Sequence, residues 1–340
     1  FDKAALKTGV RTLVQQHRRT FVSEIDGSVQ YYAVNPPPTT PAHPPALFLS
    51  LHGAGVEGSG QAASYAPKSW GVIVSPTNRR PFGFDWEEWG RLDALEVLAQ
   101  AKARYHTDPF RTYLTGHSMG GHATWSVGAT FPDQFAAIAP SAGWISFRTY
   151  ARGGRTNDDN GPMAVMLRRA AASSDTFNLV SNYVNQAVYV LHGDADDNVP
   201  VSEARAMRER IAGFHHDLHW YEQPGAGHWW DASDEPGTDC VDWLPMFDLF
   251  ARRRLPAINE AREVRFTTVN PGVSSRCRWL AIEQQIHPLE PSHIVARFDP
   301  GQRRIVARTE NVARLSFDLT PLFTAGAPIQ LELDGIKLTN

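Results

Sequence analysis

Between residues 46 and 252, short segments that are apolar throughout alternate with segments whose apolar residues recur at helical spacing. The apolar runs at 46–51, 70–75, 111–115, 135–140, 187–191 and 218–221 have strand length, and stretches with helical spacing at 92–105, 120–131, 201–212 and 241–252 fall among them. A strand with no polar side must be covered on both faces, and a helix between successive strands lets them run parallel. The alternation therefore predicts an α/β unit with a mostly parallel central sheet and helices on both of its faces.

The flanks read differently. Residues 4–19 place Leu6, Val10, Leu13 and Val14 on one helical face, so a helix is expected there. Strand-like runs at 20–25 and 28–34 are joined by Asp26-Gly27, a hairpin signal, and six prolines in 35–45 make an irregular connection. After Arg252 the period becomes two, at 263–268, 276–285, 293–298, 303–308, 313–319 and 329–333. That pattern predicts a small C-terminal antiparallel β-sandwich. The expected organisation is an N-terminal helix, hairpin and connection (1–45), an α/β catalytic unit (46–255) and the sandwich (260–340).

Charge and composition narrow the function classes. A net charge of −3 gives no basic footprint for nucleic acid and no polybasic patch for a membrane. No apolar run is long enough to span a bilayer. The chain starts at Phe1 with no signal-peptide pattern after it. Cys240 and Cys277 are read either as two free buried thiols or as one bridge pinning the two units together. The bridge would require an oxidising compartment, such as a periplasmic or secreted location. No phosphate loop is present, and His215-His216-Asp217-Leu218-His219 lacks the companions of a metal motif, so neither cofactor nor metal is expected.

The residues with chemistry to offer begin at Gly116-His117-Ser118-Met119-Gly120-Gly121, between a strand and a helix. A serine at the apex of so sharp a turn needs small neighbours, and the helix N-terminus favours negative charge beside it. A serine hydroxyl needs a base, and an imidazole base needs a carboxylate to fix its tautomer. The loop after strand 187–191 offers Asp194, Asp196 and Asp197. Asp196 is favoured, Asp197 comes next, and Asp194 is expected to bond local backbone. The Gly-rich loop Gly225-Ala226-Gly227-His228 then supplies the base, His228. An oxyanion site needs two backbone N–H groups. Met119 supplies one, and the loop Leu51-His52-Gly53-Ala54-Gly55 supplies the other from Ala54, with Gly55 close behind. Trp229, Trp86 and Trp144 are candidate substrate walls that fit a sugar ring or a phenolic acyl group.

Taken together, these four motifs resemble the α/β-hydrolase superfamily over roughly residues 45–255. They are most similar to its prolyl-oligopeptidase-like and carboxylesterase-like branch. The resemblance implies an α/β-hydrolase fold with residues in the order Ser118, Asp196, His228. It also implies that the Asp following His192-Gly193 by three is the catalytic acid. Peptidases of the prolyl-oligopeptidase type carry a large β-propeller, and no blade repeat precedes residue 45. The expectation is therefore a serine esterase acting on a small-molecule or polysaccharide-linked ester. The alternative is a peptidase for short peptides, with Glu87 and Glu88 as candidate clamps. The sandwich is expected either to cover one side of the catalytic core or to hold a carbohydrate.

Overall fold

The structure is a computed structural model that describes residues 11–79, 85–150 and 161–338. Strands β1 (His17–Val22) and β2 (Val29–Asn35) form a hairpin. There follow β3 (Ala46–Leu51), α1 (Gly58–Ala63), β4 (Gly71–Ser75), α2 (Trp89–Tyr105), β5 (Thr112–His117), α3 (Met119–Thr130) and β6 (Ala137–Ser141). Next come α4 (Pro162–Ala171), β7 (Ala187–Gly193), α5 (Val201–Ala212), β8 (Leu218–Gln223) and α6 (Leu244–Ala251), with short 3-10 segments between α4 and β7. The sheet order is β1-β2-β4-β3-β5-β6-β7-β8. The pairs β1–β2 and β2–β4 are antiparallel, and β4–β3–β5–β6–β7–β8 are parallel throughout.

Strands β3 to β7 are buried along their whole length, which is why their sequences carry no alternation. One face of the sheet packs Leu47, Leu49, Val72 and Leu114 against α2, α3 and α5. The other packs Phe48, Tyr113, Ala137 and Tyr189 against Phe247 and Phe250 of α6. Burying these faces supplies most of the drive for folding.

The C-terminal residues build two sheets, one of β10 (Arg276–Cys277), β11 (Leu280–Gln285) and β14 (Val312–Phe317). The other orders β16 (Ile336–Leu338), β15 (Gln330–Leu333), β13 (Arg304–Glu310), β12 (Ser292–Asp299) and β9 (Glu263–Thr268). Trp279, Phe266, Phe298, Ile282 and Ile305 fill the space between them. The pairing is antiparallel except at β13–β15, which is parallel. The run read as one strand over 276–285 is broken at Arg278, whose φ of 53° turns β10 back onto β11. The sandwich seats on the larger unit through Asn182. Its side-chain amide donates to the carbonyls of Ala129 and Thr267 at 2.8 Å each, and its oxygen accepts from Thr267 N–H at 2.8 Å.

The helix expected over 4–19 is corrected where it can be seen. Residues 4–10 lie outside the described residues, 11–16 are not helical, and 17–19 belong to β1. Pairing with β2 along the full length of β1 overrides the helical periodicity, and Leu13 and Val14 are left exposed. The bridge reading of the cysteines is also corrected. Both thiols are free, and they are buried in separate cores. Burial pushes the Cys240 thiol up to about 12. No helix among the described residues is long and apolar enough to cross a membrane.

Candidate active site

Ser118 sits between β5 and α3 with φ 61° and ψ −119°, a conformation that is uncommon for a residue with a side chain. The turn exists because α3 runs hard against the sheet. A β-carbon at position 120 would lie 1.9 Å from the Leu51 carbonyl oxygen, and one at position 116 would lie 2.4 Å from the Gly120 oxygen. Only glycine fits at either place. The apex is tied to the neighbouring strand by the Ser118 N–H, which donates to the Ser141 carbonyl at 3.0 Å.

The other candidate residues arrive from the ends of β7 and β8, which are adjacent parallel strands. Their loops are laced together. Asp194 N–H donates to Gln223 O at 3.1 Å, Ala195 N–H donates to Ala226 O at 2.9 Å, and Gly225 N–H donates to Asp194 Oδ1 at 2.6 Å. The Asp194 side chain thus bonds the backbone of the neighbouring loop and not its own, while Asp197 is exposed. Asp196 points inward. Its Oδ2 lies 2.8 Å from His228 Nδ1, and His228 Nε2 lies 2.9 Å from Ser118 Oγ. A carboxylate accepts, so Nδ1 carries the hydrogen and Nε2 presents its lone pair to the serine hydroxyl.

Burial works against the Asp196 charge, but it is outweighed by the hydrogen bonds given by His192, His228, Val199 N–H and Asn198 N–H. The result holds its carboxyl well below the usual carboxylate range. The two backbone donors reach Oδ1 at 2.9 Å each. His192 was not singled out from the sequence, although it stands four residues ahead of Asp196 in the quoted motif. Its Nε2 is 2.9 Å from Val199 O and 3.2 Å from Asp196 Oδ2. His117 was also passed over. Its Nε2–H donates to the His228 carbonyl at 2.7 Å and so fastens the His loop to the strand that bears Ser118. Burial foremost, and then the neighbouring His228, hold the His117 ring neutral, with its pKa down at about 3.

The loop after β3 closes on the serine. A β-carbon at position 53 would lie 3.2 Å from Ser118 Cβ, so the loop meets Ser118 at Gly53, while Ala54 and Gly55 are exposed. Met119, the first residue of α3, is fully buried, and its N–H has no intrahelical acceptor by position. Of the three tryptophans, Trp229 is half exposed and meets the His117 ring edge-on at 5.0 Å. Trp86 and Trp144 lie in the interior, where they offer little surface to a substrate. Trp86 spends its indole N–H on the His52 carbonyl at 3.1 Å and braces the loop after β3 from beneath. Trp144 is stacked between His122 at 4.8 Å and Tyr150 at 4.4 Å. Glu87 accepts from the Ser174 hydroxyl, and Glu88 is exposed.

A strained serine at a strand-to-helix turn, in a parallel sheet of this order, with an acid and a histidine on the next strand ends, is the arrangement of an α/β-hydrolase, and the chain has that fold. Within it, residues 78–244 match the family model described as the prolyl oligopeptidase family. The fold is shared with an acylaminoacyl peptidase structure at a TM-score of 0.54 and 14% identity, over 71% of this chain and 42% of that one. Among curated proteins, an uncharacterized secreted protein of Arthroderma benhamiae is 27% identical over 97% of this chain and 37% of its own length. Poly(3-hydroxyalkanoate) depolymerase C of Paucimonas lemoignei is 32% identical over 32% of this chain and 30% of its own. A bifunctional acetylxylan esterase/xylanase of Neocallimastix patriciarum is 30% identical over 28% and 16%. The chain therefore spans well under half the length of each curated relative.

Proposed function

We propose that the chain is a serine esterase that cleaves carboxylic esters, among them esters attached to carbohydrate, through an acyl-enzyme. The observation that carries this reading is the unbroken run of hydrogen bonds Asp196–His228–Ser118, at 2.8 and 2.9 Å. His228 takes the serine proton as Oγ attacks the carbonyl, and the N–H groups of Ala54 and Met119 hold the oxyanion. The imidazolium, steadied by Asp196, gives its proton to the leaving alcohol. A water then follows the same route in reverse order and frees the acid. Trp229 forms one wall for the acyl or sugar part. The acetylxylan esterase relative supports an acylated carbohydrate as the substrate class.

Stopped-flow cleavage of a p-nitrophenyl ester tests the reading. The wild type is expected to show a burst, and Ser118→Ala to abolish it with a loss of roughly a millionfold in kcat. A burst of unchanged size in the variant would end the proposal. The match to the prolyl oligopeptidase family favours a second reading, a peptidase for short peptides. The two separate on a matched ester and anilide. Faster cleavage of the anilide would reverse their order.

A further inference from the structure

Hydrolysis makes no use of a second group of ionisable side chains, Asp85, Glu87 and His122, whose facing atoms lie within 4.8 Å of one another. His122 lies on α3 one turn beyond Ser118 and is fully buried, and Asp85 is 4% exposed. His122 Nδ1 is 3.1 Å from the Trp144 carbonyl oxygen. A carbonyl only accepts, so Nδ1 bears the hydrogen, and Nε2 of the neutral ring is a bare lone pair. That lone pair faces Asp85 Oδ2 at 3.4 Å. The other carboxylate atoms are already engaged. Asp85 Oδ1 accepts the Trp86 N–H at 2.7 Å, and Glu87 Oε2 accepts the Ser174 hydroxyl at 2.8 Å.

Three atoms remain: Asp85 Oδ2, Glu87 Oε1 and His122 Nε2. Each is buried and has no hydrogen-bond partner among the described residues. Among the described residues three acceptors thus converge on one point with no donor between them, an arrangement that burial penalises unless something positive lies there. A proton on Asp85 would serve only the contact to His122, which is long for an O–H···N bond, and would leave Glu87 Oε1 unserved. A divalent cation serves all three.

We propose that Asp85 Oδ2, Glu87 Oε1 and His122 Nε2 are a binding site for a divalent transition-metal ion, with the donor set of Zn²⁺. One imidazole nitrogen and two carboxylate oxygens are ordinary zinc ligands, and ligands held at about 2.1 Å in a tetrahedron stand roughly 3.4 Å apart. The Asp85–His122 separation already has that value. Only the Glu87 side chain has to swing inward. Supporting contacts are in place, since the Trp144 carbonyl fixes the His122 tautomer and Ser174 orients Glu87. The ion is a structural clamp. It ties the segment at 85–88 to α3 just behind the nucleophile, where Asp85 N–H also reaches Met119 Sδ at 3.0 Å.

The test does not depend on the hydrolase reading. The full chain is stripped with a chelator, dialysed, titrated with ZnCl₂ and passed through gel filtration. Metal content is then measured by mass spectrometry and the thermal midpoint by calorimetry. One zinc per chain is expected, with a rise in the midpoint. Ser118→Ala should retain the zinc although it is inactive. His122→Asn and Glu87→Gln should each weaken zinc binding by more than about tenfold. Glu87 is only partly buried, so its variant keeps the test usable if His122→Asn does not fold. A stripped wild type that retains no zinc and shows no shift in midpoint would overturn the proposal. So would variants that hold zinc as tightly as the wild type.

Discussion

Two histidine–carboxylate pairs flank Ser118, and the same two side chains behave in opposite ways in them. In the pair His228–Asp196, the acid receives hydrogen bonds from two backbone N–H groups and from the rings of His228 and His192. In the pair His122–Asp85, the acid receives one among the described residues, from the N–H of its own neighbour Trp86. Burial acts on both. It is outweighed at Asp196, whose pKa falls, and it dominates at Asp85, whose pKa is pushed up to about 7. The histidines differ likewise, since His228 has a carboxylate on one nitrogen and a hydroxyl on the other, whereas His122 has a carbonyl and an unanswered carboxylate oxygen. The number of donors aimed at a buried carboxylate, more than the burial itself, decides which way its pKa moves.

The comparison breaks most directly at the two acids. Asp196→Asn leaves the geometry nearly intact but turns an amide N–H donor toward His228 Nδ1, which favours the wrong tautomer, and kcat on a p-nitrophenyl ester is expected to fall by about 10⁴ with KM little changed. Asp197→Asn, at an exposed position one residue on, should stay within about twofold. If Asp85→Asn produced the large loss and Asp196→Asn did not, the roles of the two pairs would be exchanged.

The meeting of His228 with Asp196 was legible in the sequence because each member stands at a loop that a βα alternation forces onto one edge of the sheet. Ser118, Asp196 and His228 follow three different strands, and parallel strands all end on the same side. The second pair was not legible. Asp85 and Glu87 lie before a helix with no strand to locate them, and His122 reads as one more residue of α3. Their meeting depends on the close approach of that segment to α3, with Asp85 at φ 61° and Glu88 at φ 43°, conformations that no periodicity announces. His117 and His192 were hidden in another way. Both stand inside recognisable motifs, but their work is a hydrogen bond to the backbone of a distant loop or to a shared acid, which spacing does not show. Tryptophan counting likewise says nothing of depth, and two of the three candidate walls lie inside the protein. At residues 17–19 the helix expected near the N-terminus gave way to strand pairing, a tertiary effect that outweighs local periodicity.

The donors around Asp196 also predict an acid response. Because its folded pKa lies below the ordinary value of 3.8, its contribution to stability is present above that value and is lost as pH falls through the lower folded pKa. The stability gap between wild type and Asp196→Asn, measured by urea denaturation, should be open at neutral pH and close below about pH 4. His117 adds to the same limb at higher pH. Its ring is held neutral in the fold with a pKa lowered from 6.5 to about 3, so the unfolded chain takes up a proton that the folded chain refuses between those values. Stability should fall by at most about 1.4 kcal/mol per pH unit on acidification through that window, and His117→Gln should flatten the slope. An unchanged slope in the variant would show that His117 is not held neutral.

The smallest effect concerns the one candidate wall that faces solvent. Trp229 stands beside the pair His228–Asp196 through His117, whereas at the second pair Trp144 is buried against His122. Aromatic contacts of this kind contribute about 0.5–1.5 kcal/mol, so Trp229→Ala should raise KM by roughly two- to tenfold for an ester with an aromatic acyl group. An acetyl ester reaches the wall less and should show a smaller rise, and kcat should hold for both, because the contact is made equally in the ground and transition states. A fall in kcat with KM unchanged would mean that Trp229 acts by holding His117 and the His228 loop in place. It would then belong with the hydrogen bonds that set the pair His228–Asp196 apart.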